Sequence, residues 1–373
     1  MNVKSRECLD LIALNLIEGL GACTIKKLIE HAGCAEKIFS MKNSELGEVS
    51  RVSISVLGKI HSAKDSDEYK KELEYIEKEG INVVCLADEN YPENLKEIYD
   101  PPPVIYYKGV MPEKKELCVA IVGSRQCSLY GMRSAEKLSG GLVEAGVTVV
   151  SGMASGIDAA AHRGVLQAGG RTIAVMGTGF RYLYPEGSEK IVRDICRRGA
   201  VITEFPSGIS PSKITFPRRN RIISGMSSAV VVVEAAKKSG ALITVDFALE
   251  QGKDVFAVPG PIDSPTSKGT NALIQNGAKL LTSTQDILDE ILPWMPQGEP
   301  INETEITSFS YSDVSEEQGK ILSLLPEGGK AHIDEISASS GIASGKIHGI
   351  LLSLELKGMV RPCPGAMYER AAG

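Results

Sequence analysis

Short aliphatic runs alternate with longer amphipathic stretches over the central part of the chain. Six runs lie between residues 117 and 260, and most end in glycine: LCVAIVG, GVTVVSG, RTIAVMG, AVITEF, AVVVVEA and KDVFAVPG. Runs of this length predict buried strands, and the segments between them are long enough for helices. The alternation predicts an α/β fold with a Rossmann-like, doubly wound, mostly parallel sheet.

The N-terminal region has a different, helical pattern. Residues 8–31 carry apolar residues at helical spacing on both sides of the break EGLGA, which predicts helix, turn, helix. We assign residues 1–79 to a small helical domain and 80–293 to the sheet domain. Within the latter, VIYYKG follows three prolines at 101–103 and predicts an edge strand.

The C-terminal region begins after a polar stretch. Residues 294–315 are poor in large aliphatic side chains and predict a linker. Residues 316–373 contain three amphipathic segments, EEQGKILSLL, HIDEISASS and SGKIHGILLSLELKG, followed by the alternating segment MVRPCPGAMYER. Three helices and a hairpin predict a winged-helix domain.

The overall charge excludes a globally basic nucleic-acid-binding protein. Lys and Arg number 41 against 47 Asp and Glu, a net charge of -6, so any site for a polyanion must be local. The eight cysteines include no C-x-x-C pair, which argues against a disulfide framework or a zinc site. With no apolar run of the ~18 residues that a membrane span needs, we predict a cytoplasmic protein without a metal or cofactor.

Glycine-rich loops follow two of the predicted strands, at the sheet edge where ligands of such folds bind. In VVSGMASGIDAAAH, Gly152 and Gly156 permit a bend before a helix that begins near residue 157. The amides of that helix and the hydroxyls of Ser151 and Ser155 suit a phosphate. The segment GSR repeats the pattern with Ser124 and Arg125, whose guanidinium adds a charged fork.

The segment KITFPRRNRIISG adds cations and an aromatic ring. Lys213, Arg219 and Arg221 can neutralise phosphates, and Phe216 offers a face on which a base stacks, worth ~1–3 kcal/mol per base. Together with the loops, this favours single-stranded nucleic acid, which backbone contacts and stacking bind without reading sequence.

The backbone conformation of this segment and the environment of Phe216 can also be interpreted without a ligand. Pro211 and Pro217 predict that the segment stays outside any regular element. A solvated basic turn with Phe216 buried in the core fits the same residues.

Motifs of nucleotide-dependent enzymes are incomplete. IVGSRQCSLYG lacks the glycine spacing of a dinucleotide fold, and GIASGKI is one residue short of a phosphate-binding loop. Asp158 and His162 lie four residues apart and would share a helix face, either as an acid/base or metal pair or as a helix-start acid with an ordinary histidine. We favour the second interpretation, because no third ligand type recurs nearby.

Seven segments between residues 80 and 282 resemble, in order, the motif series of the bacterial DNA-processing protein A family, DprA, also called Smf. They are YPENLKEIYDPPPVIYYKG, VAIVGSR, SGMASGIDAAAHRGVL, TIAVMGTGFRYLYP, ITEFPSG, FPRRNRIISGMSSAVVVVEA and VFAVPGPIDSPTSKGTNALIQNGA. The flanks resemble that family's N-terminal helical and C-terminal winged-helix modules. The resemblance implies an extended Rossmann domain that forms homodimers. It also implies a non-enzymatic protein of natural transformation, which protects incoming single-stranded DNA and loads the RecA recombinase onto it.

The resemblance also implies roles for individual residues. Arg125 matches the arginine of the family at the DNA phosphates, Lys213 a basic residue before the F-P-x-R-N-R motif, and Phe216 its base-stacking ring. Arg218 occupies a variable place in that motif, which implies only an extra surface charge. The phosphate loop and the motif core are matched by Ser151, Gly152, Ser155, Gly156, Arg219, Asn220 and Arg221.

Two other functions remain open from the sequence. A nucleotide phosphoribohydrolase of the same wider fold would carry a P-G-G-x-G-T-x-x-E loop, and KSGALITVDFALE at the corresponding place lacks the double glycine. Alternatively, the terminal modules make the main contacts to duplex DNA or a partner, and the central fold is a dimerising platform.

Overall fold

The computed structural model describes residues 5–50, 52–292 and parts of the C-terminal region. The chain divides into two compact units, residues 1–295 and 296–373. Among the described residues, no helix has the length and apolar character needed to cross a membrane. In the C-terminal region, the residues that the structure describes are 316–326, 330–342, 346–347, 350–351, 354, 359–363 and 367–370.

The N-terminal segment is helical, as predicted. The hydroxyl of Ser5 caps the first helix by accepting a hydrogen bond from the N–H of Cys8 at 3.1 Å. The second helix is capped at its C-terminus by Gly33, whose φ of 84° suits a glycine. The predicted helix, turn, helix is confirmed as α1 and α2, and a 3₁₀ turn at Ala63–Asp65 precedes α6. The helices are α1 (Arg6–Asn15), α2 (Ala22–Ala32), α3 (Ala35–Ile38), α4 (Asn43–Ser50), α5 (Ile54–Ser62) and α6 (Asp67–Lys78).

A single mixed sheet follows, with the strand order β1-β2-β6-β5-β4-β3-β7-β8-β9. Strand β2 pairs antiparallel with β1 and β6, and all other pairings are parallel. The order runs in opposite directions on the two sides of β3, which confirms a doubly wound topology. The strands are β1 (Asn82–Cys85), β2 (Val104–Gly109), β3 (Cys118–Val122), β4 (Thr148–Ser151), β5 (Thr172–Val175), β6 (Ala200–Thr203), β7 (Ala229–Val232), β8 (Asp254–Ala257) and β9 (Lys279–Leu280).

All seven segments predicted as strands are strands, but the predicted edge is wrong. β2 has β1 on its outer side, with Val83 opposite Tyr106. The hydrophobic pattern missed β1 because a strand of four residues is too short to show a strand period.

Helices cover both faces of the sheet. Residues of α8, α9 and α14 share one core with alternate residues of β3, such as Val119. Residues of α7, α11 and α12 share a second core with the other alternate residues, such as Ala120. The connecting helices are α7 (Glu93–Lys96), α8 (Leu129–Glu144), α9 (Ile157–Gln167), α10 (Glu189–Cys196), α11 (Thr215–Gly225), α12 (Ala241–Glu250), α13 (Lys268–Gln275) and α14 (Thr284–Ile291).

Helix α11 corrects a sequence prediction. The two prolines predicted an irregular segment, yet Pro217 lies inside this helix. It is the third helical residue, and the N–H groups of a first turn have no acceptor within the helix, so a proline there removes no hydrogen bond. Only Pro211 lies outside the regular element.

The N-terminal helices share a core with the β1–β2 side of the sheet. Leu11 and Leu14 of α1 belong to the same buried cluster as Tyr106 and Val201 of the sheet. The predicted boundary at residue 79 thus separates segments of one compact unit, and as a domain boundary it remains a prediction.

The second unit is described in part. Helices α15 (Glu316–Leu324) and α16 (Ile333–Ser340) accompany a small antiparallel sheet of order β10-β12-β11. The predicted hairpin is confirmed by the pairing of β11 with β12. The predicted linker, 294–315, lies outside the described residues, as does most of the predicted third helix. The strands are β10 (Lys330–His332), β11 (Val360–Cys363) and β12 (Met367–Arg370).

Candidate nucleic-acid interface

A cavity of about 570 Å³ opens at the carboxyl ends of β3, β4 and β7. The chain runs from β3 to β6 on one side of this point and from β7 to β9 on the other. Ligands of doubly wound sheets bind at such a switch point. The lining comes from residues 122–126, from Ala154 and Asp158, from residues between 213 and 223, and from residues 239–241, 243 and 244.

An aromatic ring and a guanidinium lie together in this cavity. The guanidinium carbon of the exposed Arg125 is 4.9 Å from the ring centre of Phe216. Phe216 is half-buried, and a Cβ built on Gly177 would lie 2.7 Å from its ring. The ring of Tyr184 lies 5.3 Å away, centre to centre, at an angle of 54°. Phe216 therefore packs on the core along one edge and also lines the cavity, which combines the two interpretations of the sequence.

Positive charge dominates the cavity lining. Its ionisable side chains are three cations, Arg125, Lys213 and Arg219, and one carboxylate, Asp158. Lys213 is exposed immediately before α11 and forms no ion pair within the described part of the chain. The local charge is thus opposite to the net charge of -6.

Arg219 is a buried part of this lining. Its side chain donates hydrogen bonds to the carbonyl oxygens of Gly152 and Val175, at the ends of β4 and β5. Burial lowers the pKa of Arg219 to about 10, although Asp158 opposes that shift. Arg219 adds positive potential, but its guanidinium is committed to backbone carbonyls and not to a direct phosphate contact.

Arg221 corrects the sequence interpretation. It is 1% exposed, and its Nη2 lies 2.7 Å from a carboxylate oxygen of the buried Glu204, with Nε 2.9 Å from Asp100. Arg218, predicted as an extra surface charge, also pairs with Glu204 at 2.9 Å. Because α11 is helical, positions 218 and 221 share a face that points away from the cavity lining. The prediction that Arg221 neutralises phosphates is therefore wrong.

The predicted phosphate loop serves mainly to hold the site together. The Ser151 hydroxyl donates to the carbonyl oxygen of Ile121 at 2.6 Å and is fully buried, so its predicted contact with a phosphate is wrong. The N–H groups of Gly152 and Ala154 donate to Asp158 at 3.1 and 3.4 Å. Ser155 is exposed, and its role as a phosphate contact remains a prediction.

Gly156 brings this loop against the segment that carries Arg125. Its φ is 81°, and a Cβ there would overlap the carbonyl oxygens of Ser124 and Arg125. The Ser124 hydroxyl donates to the carbonyl oxygen of Gln126 at 2.8 Å, which tightens the turn on the cavity rim. Glycine at 156 is therefore required by the close approach of two loops.

Asp158 and His162 have separate partners. His162 is buried with its Nδ1 2.8 Å from the Thr172 hydroxyl, and burial lowers its pKa to about 3. Burial raises the pKa of Asp158, against the opposing effects of Arg219 and the loop amides. This confirms the interpretation of a helix-start acid and an ordinary histidine.

One wall of the cavity contains none of the residues predicted for the site. Residues 239–241, 243 and 244 line it, and the Asn220 side chain donates to the Gly240 carbonyl oxygen at 3.3 Å, which joins this wall to α11. Ligands of such folds bind beyond the carboxyl ends of the parallel strands, and this segment follows the carboxyl end of β7, so the same rule would have predicted it.

A group of three residues with metal-ligating side chains lies elsewhere in the fold. Cys8, Cys85 and Asp88 place one ligand atom each within 4.8 Å of one another, and none of the three lines the cavity.

Comparisons with known proteins point to one family. The model of the family described as "DNA recombination-mediator protein A" matches residues 82–292, and that of the "DprA winged helix domain" matches 307–366. The chain is 33% identical to protein Smf of Synechocystis over 96% of this chain and 98% of that protein. It is 48% identical to the DNA processing protein DprA of Streptococcus pneumoniae over 55% of this chain and 72% of the relative.

Solved structures agree with this result. The X-ray structure of DprA from Streptococcus pneumoniae covers 77% of this chain and 98% of its own, with 37% identity and a TM-score of 0.66. A structure of DNA processing protein A from Helicobacter pylori, which concerns the single-stranded DNA binding mode of that protein, covers 57% of this chain and 96% of its own. Its identity to this chain is 28% and the TM-score is 0.51. The predicted fold class, including the winged helix, is confirmed.

Arg221 and Arg125 should respond differently to the same substitution. Arg221→Met removes the buried one of the two cations that pair with Glu204 and leaves only the more exposed Arg218, so we expect a loss of about 3 kcal/mol in the free energy of unfolding. Arg125→Met removes an exposed side chain and should change it by less than about 0.5 kcal/mol. Urea unfolding followed by circular dichroism measures both, and equal losses would contradict a structural role specific to Arg221.

His162 should make stability depend on pH. Its pKa is about 3 in the folded protein against 6.5 ordinarily, so below pH 6.5 the unfolded chain binds a proton that the folded chain does not. Stability then falls as pH falls, by up to about 1.4 kcal/mol per pH unit from this residue. His162→Gln keeps a polar group near Thr172 without the titration, and its unfolding free energy should fall less steeply over this range. Identical slopes for the two proteins would contradict the burial of a neutral histidine.

Proposed function

This chain belongs to the DNA recombination-mediator protein A family, also called DprA or Smf, and we propose that it binds single-stranded DNA in the cavity without regard to sequence. The observation that carries the proposal is the convergence of Arg125, Lys213 and Phe216 at the switch point of the sheet. Cations neutralise phosphates, and an aromatic face accepts any base. The similarity to the Helicobacter pylori protein, which binds single-stranded DNA, supports the same ligand.

We propose binding and not catalysis. The one carboxylate of the cavity lining, Asp158, accepts hydrogen bonds from loop amides, and the neighbouring His162 is buried and bonded to Thr172. A general acid or base must reach its substrate. The alternative of a phosphoribohydrolase therefore lacks a suitable residue pair in this cavity.

We infer that this protein has the biological role that its family resemblance implies. The protein would take part in natural transformation, protect incoming single strands and load RecA onto them, acting as a homodimer. The description of the family as a recombination mediator supports this. A cytoplasmic location is consistent with the seven cysteines between residues 5 and 292, all of which are free thiols.

Substitutions in the cavity should separate the contribution of charge from that of stacking. Arg125→Ala and Lys213→Ala should each weaken binding of a fluorescent oligonucleotide and reduce the slope of log affinity against log salt by about 0.7. Phe216→Leu should lower affinity about 5- to 150-fold with an unchanged slope. Fluorescence anisotropy at several salt concentrations measures both quantities.

The control for this experiment is Lys114→Ala. Lys114 is exposed in the loop before β3, at the amino-terminal end of that strand, whereas the cavity lies at its carboxyl end. It should bind like the unchanged protein. Full affinity in the double variant Lys213→Glu/Arg125→Ala would contradict the site. Release of free base from a nucleoside monophosphate would favour the phosphoribohydrolase instead.

Recombinase loading should require the same cavity. We expect the full chain to shorten the delay before RecA forms filaments on single strands covered by a single-strand-binding protein, and the double variant to lose this effect. Light scattering or RecA ATP hydrolysis measures the delay. Sedimentation should give twice the 39.9 kDa chain mass for both proteins. No effect of the unchanged protein on RecA would contradict the loading role, and a mass of one chain would contradict the homodimer.

A further inference from the structure

A second cavity of about 570 Å³ is lined by α8 and by the segments that follow β8 and β9. Its lining includes six residues of α8 between 129 and 138, and α8 begins three residues after the segment 122–126 of the first cavity. A third cavity is lined by Ser128, Tyr130, Glu234 and Pro259 among others, and it shares Tyr130 and Pro259 with the second cavity. The Glu234 carboxylate in this lining accepts hydrogen bonds from the N–H and the hydroxyl of Ser128. One stretch of chain therefore borders all three.

The charge of the second cavity is positive. Arg133 and Lys137 are exposed and four residues apart on α8, so they lie on the same helix face. The lining contains no acidic residue, and neither cation forms an ion pair within residues 5–50 and 52–292. Nearby Asp286 is already bonded to the N–H groups of Thr282 and Ser283 and caps α14.

The second cavity also presents a fixed aromatic ring. Tyr130 is 49% exposed, and its hydroxyl donates to the Pro259 carbonyl oxygen at 3.0 Å. Leu129 next to it is 58% exposed. Anchoring the hydroxyl while the ring stays exposed provides a flat surface for a base at little cost in side-chain entropy.

We propose that this second cavity is a further subsite for single-stranded DNA. The strand that leaves the first cavity continues over Ser128 and Tyr130, with a base on Tyr130 and phosphates beside Arg133 and Lys137. The inference rests on the proposed function, because it extends the same ligand along the same segment. It combines cations with an exposed ring, as the first cavity does, in a chain whose net charge is -6.

The length of the DNA tests this subsite separately from the first. In the full chain, Arg133→Ala/Lys137→Ala should weaken binding of a thymidine oligonucleotide of about 20 nucleotides at least tenfold and reduce its salt slope by about 1.4, while an oligonucleotide of about 6 nucleotides binds unchanged. Tyr130→Leu should weaken only the longer one, with an unchanged slope. The matched control, Lys114→Ala/Lys115→Ala, removes the same charge from the amino-terminal edge of β3.

The outcomes distinguish the two proposals. Equal losses for the α8 variant and the control, or equal losses for short and long DNA, would overturn the second subsite. So would unchanged DNA binding with a changed sedimentation mass, which would assign the surface to a protein contact. Failure of the unchanged protein to bind either oligonucleotide would overturn the proposed function itself.

Discussion

The candidate site depends on the hydrogen bonds that the buried guanidinium of Arg219 donates to the ends of two strands. The guanidinium donates to the carbonyl oxygens of Gly152 and Val175 and so holds α11 against the ends of two adjacent parallel strands. A charge buried to this extent is tolerated only when its hydrogen-bonding capacity is used. The same helix carries Phe216 and Asn220, so this contact also determines where the ring and one cavity wall lie.

All three arginines of one short motif are thus bonded within the protein. Arg218 and Arg221 pair with the buried Glu204, and Arg219 bonds to strand ends. The exposed cations at the cavity come from outside the helix, from Arg125 and Lys213. An acidic protein can bind a polyanion in this way, because Arg221 is neutralised by carboxylates inside the protein while Arg125 and Lys213 keep their charge for the ligand.

Hydrophobic patterning predicted the sheet well because a parallel strand is buried on both faces and reads as a continuous aliphatic run. It failed at β1, where four residues show no period, and at α11, where prolines predicted irregular chain although a first helical turn accepts proline. At the site, residue types predicted phosphate contacts for Ser151 and Arg221. Both are buried with internal partners, and residue type alone carries no information about which partner a polar group finds.

The sequence by itself determined the doubly wound sheet, the position of the ligand edge and the family, since these follow from the order of aliphatic runs and of short motifs along the chain. Only the tertiary structure decided which residues of those motifs face the ligand. Helical periodicity places Arg219 and Arg221 on different sides of α11, and the carboxylates of Glu204 and Asp100 pair with Arg221. Which side of a helix faces a buried partner depends on packing between segments far apart in the chain, and a local sequence pattern contains no information about that packing.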